Sequence, residues 1–292
     1  MSDFNGLATG VLENERIRLE YLTSSGPRIV WFSATGGANL FADLPGFNVQ
    51  TSLGPFNFHG GHRLWRSPEI MPETYCPDDE GLVVEKMQDG VKLIQRTQVG
   101  IDKSVEIRLS PDLPAVTLTH RISNSGLEAV NLAPWALTMF RLGGTAVLPQ
   151  PEGNTDPDGL LNNRVMAIWP YTRINDPRLV LRDDYILLNA KPDLPPVKIG
   201  YFNPSGWMAY WLGGTLFRKS YDVQPGEKYP DGGCNAEVFC SDKFVELESL
   251  GPLTAMEPGS GVTLIETWEL FDTLDVQFIP AEIREIIKHN IN

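Results

Sequence analysis

The chain has 292 residues, of which 42% are hydrophobic and 21% charged, the make-up of a folded globular protein with enough apolar sequence to bury a sizeable core. A formal net charge of −13, with no Lys/Arg cluster to offset it, argues against nucleic acid and against anionic membrane surfaces as partners. At about 150 residues per domain the length hints at two domains, but all-β folds often run longer as one.

The first clear element is RIRLEYL, residues 16–22, which places Ile17, Leu19 and Tyr21 on one face and Arg16, Arg18 and Glu20 on the other. That two-residue period marks a strand of an antiparallel sheet with one wet face. FNFHGGHRLWRSPE, residues 56–69, follows as a polar segment around a Gly-Gly turn, and it holds two of the four histidines. Alternation returns in VKLIQRTQV, in SVEIRLS (Val105, Ile107, Leu109) and in AVTLTHRIS (Val116, Leu118, His120, Ile122). AVNLAPWALTMF is a further strand. PQPEGNTDPDGLLNN, residues 149–163, is the most loop-like stretch and reads as a long insert within one domain. Beyond it come DYILLN, VKIGYF, GWMAYWL, AEVF, KFVELESL and GVTLIETWELF. Turn chemistry separates these runs, and 27 Gly and 23 Pro are more than long helices tolerate. One helix is expected, PAEIREIIKHN at 280–290, opened by Pro280 and carrying Ile283, Ile286 and Ile287 on one side. The predicted architecture is all-β, two large and mostly antiparallel sheets packed face to face with a short C-terminal helix, as a single domain over 1–292.

Cys76, Cys234 and Cys240 are odd in number and lack CxxC spacing, so neither a disulfide framework nor a zinc site is expected, and they read as reduced thiols of a cytoplasmic protein. MSDFNGLATG lacks the features of a secretory signal, and no stretch approaches the ~20 apolar residues of a membrane helix. No EF-hand loop, HExxH, GxSxG, P-loop or dinucleotide fingerprint occurs, so neither a metal nor a cofactor is expected.

GGHRLWRSPE, GWMAYWLGGTLFRKS and the run from YPDGGCNAEVF through ELESLGPLTAMEPGSGVTLIETWEL carry a resemblance, in strand order from about residue 15 to residue 275. The chain resembles galactose mutarotase-like (aldose 1-epimerase-like) β-supersandwich proteins, within a subgroup of unsettled function. The resemblance implies that ELES carries the catalytic glutamate, at Glu248. It also exposes a departure. Aldose epimerases place a general-acid histidine on a mid-chain strand, whereas NLAPWALTMFRLGG has none, and Thr138, Met139 and Phe140 occupy that region.

In FVELESL, Glu246 and Glu248 point to one face together with Phe244 and Leu250, with the carboxylates about 7 Å apart. On an enclosed face one of them is expected to titrate near neutrality, as a general acid or base does; on a wet face they are solubilising charges. In the early segment Gly60 and Gly61 allow positive φ or close backbone approach, His62 is of a residue type that can titrate near neutral pH, Arg63 offers a rigid fork of donors, and Trp65 can serve as a stacking platform for a sugar ring. The alternative is a core Trp65, an Arg63–Glu69 ion pair and a structural His62. His59 and Glu69 join the binding candidates by proximity. Asp231 is a binding candidate whose Asp-Gly context also fits a turn. Glu237 begins a strand beside ELES and is expected to face Glu246 or Glu248 across the ladder, which requires a compensating cation from His62, Arg63, a lysine or a metal. Trp207, Ala209 and Trp211 alternate with Met208, Tyr210 and Leu212 and are expected in the core, with stacking on a sugar as the alternative.

Three functions stay open. The first is a cofactor-independent mutarotase in which, by analogy, Glu248 takes the anomeric proton and His62 protonates the ring oxygen, with ring and carboxylates about 5–8 Å apart across one sugar ring. The second is a non-catalytic sugar-binding module, and the third a structural or assembly protein. The partner expected is a small-molecule carbohydrate, with the oligomeric state left open.

Overall fold

The period-two runs become strands because each can bury one face while its backbone pairs on both sides. The computed structural model describes residues 2–193 and 195–289. Among the described residues there are an 11-stranded sheet, a 10-stranded sheet and a separate two-stranded hairpin. The larger sheet runs from the edge strand Ser2–Phe4 through Leu7–Glu13, Ile17–Leu22, Arg28–Ala34, His62–Ser67, Val130–Phe140, Val245–Leu250, Ala236–Cys240 and Val197–Tyr201 to Met166–Ile168, and Thr254–Met256 pairs with the start of Val130–Phe140. The smaller sheet has Gly261–Phe271 near its centre, flanked by Thr215–Tyr221 and Ala115–Asn124. Every neighbour pair in both sheets is antiparallel. The predicted all-β sandwich of two large sheets is therefore the observed fold.

A shared core fills the space between the sheets, with Ile17, Leu19, Phe32, Leu64, Ala136, Phe140, Val238 and Leu247 from one meeting Val105, Leu118, Phe217, Leu264 and Trp268 from the other. The outer face of each large sheet is covered as well. On the smaller sheet the cover is helix Ala281–His289, whose Ile283 and Ile287 pack against Val147, Leu187, Ala209 and Leu216. This is the predicted helix, its last expected residue, Asn290, lying outside the described residues. Trp207 and Trp211 pack in the same layer, as expected. On the larger sheet the cover is the hairpin Asp43–Thr51/Gly54–Gly60, whose Phe56 and Phe58 pack on Trp65, Trp135 and Leu137.

The polar segment expected around a turn is in fact two strands. Gly60 and Gly61, at φ +94° and +66°, form the corner that carries the chain from the hairpin into the sheet. A Cβ on Gly60 would meet Ala42 O at 2.0 Å and one on Gly61 would meet Ile29 O at 1.9 Å, so both positive φ and close approach are needed there. After the corner every residue of His62–Ser67 is buried. Among the described residues no helix is long and apolar enough to cross a membrane, and the three cysteines are free and buried.

One core position works against stability. Lys103 points between the sheets at 3% exposure, and its Nζ has no hydrogen-bond partner. Burial pulls its pKa down, against the attraction of Asp78. Gln95, paired with it across the ladder, holds an unpartnered Oε1. Lys103→Met keeps the stem and removes the ammonium, so it is expected to stabilise the protein by about 1–4 kcal/mol. At about 2–4 °C per kcal/mol the melting temperature should rise measurably; a fall in calorimetry would show that the amine is bonded in solution.

Candidate functional site

The pleat of the larger sheet sorts its polar residues onto two faces. Strands His62–Ser67 and Val130–Phe140 pair so that Arg63 faces Leu137 and Trp65 faces Trp135, while His62 faces Thr138. Val130–Phe140 then pairs with Val245–Leu250, setting Leu137 beside Glu248 and Met139 beside Glu246. Next, Glu237 falls opposite Glu248, and Phe239 opposite Glu246. The last step puts Lys198 opposite Phe239 and Gly200 opposite Glu237. Arg63, Trp65, Trp135, Glu246, Glu248, Glu237 and Lys198 thus share the outer face, beneath the hairpin.

This face forms one buried electrostatic unit. Lys198 Nζ lies 2.7 Å from Glu237 Oε2 and 2.8 Å from Glu248 Oε2, and between the rings of Trp135 and Trp169, 4.7 and 4.6 Å from their centroids. Trp135 Nε1 donates to the same Glu248 oxygen at 2.8 Å. Burial lowers the Lys198 pKa, but the two carboxylates outweigh it and hold the ammonium far above its ordinary value. Burial, reinforced by Glu248, raises Glu237 well above a normal carboxyl, against the pull of Lys198. From the other flank Arg63 Nη2 reaches Glu246 Oε1 at 2.9 Å. The Arg63 guanidinium stacks 4.0 Å from the Trp65 ring centroid, and its Nη1 lies 2.8 Å from Met139 Sδ. Burial raises the Glu246 pKa to about 7, with Arg63 lowering it and Glu248 raising it.

A cavity of about 210 Å³ opens above this unit. Arg63, Lys198 and Glu246 supply its charges, Glu69 its rim carboxylate, and Trp65, Trp135, Tyr75, Tyr171 and four phenylalanines its walls. Glu248 and Glu237 do not line it; they are fully buried below Lys198. Larger spaces elsewhere, including a groove of about 570 Å³ beneath the 149–163 insert, gather none of these charged residues.

Several expected residues meet here. Glu246 and Glu248 share a face with Phe244 and Leu250, and that face is enclosed. Glu237 faces Glu248 as predicted, and the compensating cation is Lys198, which sequence reasoning did not select. Arg63 pairs with Glu246 instead of Glu69, which is exposed and accepts a hydrogen bond from the Tyr75 hydroxyl. Trp65 lines the cavity and its Nε1 has no partner.

His62 is the main correction. It projects from the opposite face of the same strand as Arg63, into the space between the sheets. No single concavity therefore lies between the His62 ring and the Glu246/Glu248 pair, and the 5–8 Å acid–base arrangement is absent. Its environment fixes its protonation. His120 Nδ1 is 3.1 Å from the Leu264 carbonyl, which can only accept, so Nδ1 carries the proton and Nε2 is bare. His62 Nε2 donates to that nitrogen at 2.7 Å. His62 Nδ1 accepts from the Thr138 hydroxyl at 2.9 Å, and Lys219 Nζ donates to the Thr138 oxygen at 3.2 Å. Burial lowers both imidazole pKa values, that of His62 strongly. Lys219 is paired with Glu266 at 2.9 Å, and Glu266 also accepts from Trp268 Nε1 and Ser249. His62, His120 and Glu266 have metal-ligating atoms within 4.8 Å of one another, but the Lys219 ammonium already supplies the cation and the imidazoles bond to each other. The network joins the two sheets.

The remaining candidates lie apart. His59, at φ 55°, contacts Asp79 Oδ1 at 2.6 Å; burial raises the Asp79 pKa, but the His59 and Asn57 hydrogen bonds outweigh it and hold it at about 2. Asp231, at φ 51°, is an exposed residue of a turn closed by Cys234 N to Pro230 O at 2.8 Å. Neither lines the cavity.

The chain matches no protein-family model and no curated protein sequence. Solved structures do share its fold. A galactose mutarotase-like protein from Lactobacillus casei superposes with a TM-score of 0.60 at 11% identity, covering 90% of this chain and all of the other. One from Clostridium acetobutylicum gives 0.54 at 8% identity, over 93% and 97% of the two chains. A galactose mutarotase related enzyme from Lactobacillus acidophilus gives 0.51 at 10%, over 92% and 99%. The fold is the galactose mutarotase-like supersandwich.

A pH experiment tests the Glu246 environment. Its folded pKa, about 7, exceeds the ordinary 4.5, so its contribution to stability is fully present below pH 4.5 and is lost as pH rises through about 7. Glu246→Gln is expected to match the parent near pH 4.5 and to exceed it by on the order of 3 kcal/mol near pH 8 in urea denaturation. A gap that does not change with pH would show that folding leaves the Glu246 pKa at its ordinary value.

Proposed function

We propose that this protein binds a single small carbohydrate ring in the cavity under the hairpin, with Arg63, Lys198 and Glu246 as polar contacts and Trp65 among its stacking surfaces. The observation that carries this reading is the cavity itself, in which a fixed Arg63–Glu246 pair and a buried ammonium sit on an aromatic wall. An apolar wall with a few convergent polar groups is how small polar rings are held. The volume, below the roughly 300–1,000 Å³ of drug-sized pockets, suits one ring. The shared fold with galactose mutarotase-like proteins supports the ligand class. Residues 1–292 act as one cytoplasmic domain in this reading, in keeping with a core shared by both sheets and three free cysteines.

A second reading, cofactor-independent mutarotation, is favoured by the placement of one carboxyl, Glu246, at the cavity wall, where burial raises its pKa to about 7. The proton-transfer group is then Glu246. Glu248, tied to Lys198 and Trp135, has no access to the cavity, and His62 has no part. On the strand where epimerases carry their acid histidine, the side chain reaching Glu248 is Trp135, which does not exchange protons at neutral pH. Binding without turnover therefore ranks first.

Thermal shift against a panel of monosaccharides separates the possibilities, because a ligand of the native state raises its stability by mass action. At least one monosaccharide should raise the melting temperature, and Trp65→Ala should weaken that binding at least tenfold. If no sugar shifts the transition, the binding reading fails. NMR of anomer exchange decides the second reading: acceleration abolished by Glu246→Gln, with binding kept, would establish it, and no acceleration would remove it.

A further inference from the structure

Buried polar atoms at the cavity wall lack a hydrogen-bond partner on both sides of the balance, the donors Arg63 Nε and Trp65 Nε1 and the acceptor Glu246 Oε1, which meets Arg63 only as an ion pair. Arg63 uses one nitrogen on Glu246 and rests another on a thioether, a weak acceptor. Its Nε is buried and has no partner, and neither does the buried Nε1 of Trp65 stacked against it. A buried donor without an acceptor is costly, and neighbouring pairs of them in a native protein call for an explanation. Both residues line the cavity. The charges are sorted by depth. Arg63 and Lys198 reach the wall from opposite flanks of strand Val245–Leu250, whereas two of the three carboxylates that neutralise them, Glu237 and Glu248, lie below it. The wall and rim therefore present two cations, Arg63 and Lys198, and two carboxyls, Glu246 and the exposed Glu69.

We infer that the ligand is a sugar acid, a monosaccharide ring whose carboxylate accepts from the Arg63 and Trp65 donors while its hydroxyls face Glu246. This rests on the carbohydrate-binding reading and deepens it. A guanidinium matches the two oxygens of a carboxylate through parallel N–H donors, and an indole N–H adjacent to it supplies a third donor. Neutral hydroxyls satisfy the same donors less well, since hydrogen bonds between ionised partners are stronger. A phosphate presents similar chemistry, but a ring with a phosphoryl group asks more of about 210 Å³ than a ring with a carboxylate.

Calorimetric titration of the full chain with D-glucuronate, D-galacturonate, D-glucose, D-galactose and D-glucose 6-phosphate tests the assignment. At least one uronate is expected to bind tenfold or more tightly than its neutral parent sugar. Trp65→Phe, which keeps an aromatic face and removes the indole donor, should lower uronate affinity by a several-fold larger factor than neutral-sugar affinity, and an equal loss for both would count against the assignment. Arg63→Lys, which keeps the charge and loses the fork, should reduce the uronate preference at least tenfold. If that variant fails to fold, Trp65→Phe alone decides. Neutral sugars binding as tightly as uronates would overturn the sugar-acid assignment and leave carbohydrate binding standing. Tighter binding of D-glucose 6-phosphate than of D-glucuronate would overturn it in favour of a phosphosugar. Binding of none of the five would overturn both readings.

Discussion

One ammonium group sets the layout of the site. Strand pairing places Glu237 opposite Glu248 in a fully buried ladder, where two carboxylates would repel each other. Lys198 reaches between them from the next strand, and its own alternate neighbour on that face is Gly200, where a Cβ would lie 2.9 Å from Glu237 Cγ. The absence of a side chain there leaves room for Glu237 to turn toward the lysine. The charge is shielded by two tryptophan rings, so the ion pairs form in a poorly hydrated place and depend on one another. As a consequence Glu248 is drawn below the floor. Glu246, two residues earlier on the same face, becomes the carboxyl that meets the cavity, with Arg63 holding it from the other flank.

The opposite face of the same strands performs a different task. His62, Thr138 and Ser249 point inward and meet His120, Lys219, Glu266 and Trp268 of the smaller sheet. Both imidazoles are neutral and their nitrogens bonded, and the only charges are the Lys219–Glu266 pair. A buried network satisfied in this way fixes the sheets relative to each other. One strand, His62–Ser67, thus supplies a residue to the clamp and, one position later, the arginine of the cavity.

Much of this was legible from residue order. Alternation alone located Ile17–Leu22, Ala115–Asn124 and Gly261–Phe271 and placed Glu246 and Glu248 on one face, and the position of Glu237 in the strand beside ELES put it across from them. Three things were hidden. The strand His62–Ser67 is buried on both faces, so its polar residues alternate with nothing exposed and read as a loop. Lys198, in VKIGYF, looks like an ordinary outward-facing polar residue, because a strand does not record which of its faces another element will cover. The hairpin that covers this face lies more than a hundred residues earlier in the chain. The side to which His62 turns was hidden for the same reason: adjacency to Arg63 in a strand means opposite faces, and only recognising the strand reveals it.

The indole N–H resonances of the tryptophans test the central claim most directly. Trp135 and Trp268 donate to buried carboxylates, whereas Trp65 has no acceptor and lines the cavity. In a ¹H–¹⁵N spectrum assigned by single Trp→Phe substitutions, adding a bound monosaccharide or uronate should shift the Trp65 indole strongly and leave that of Trp268 in place. A ligand that moves the Trp268 indole while leaving Trp65 unchanged would place recognition between the sheets and contradict the account.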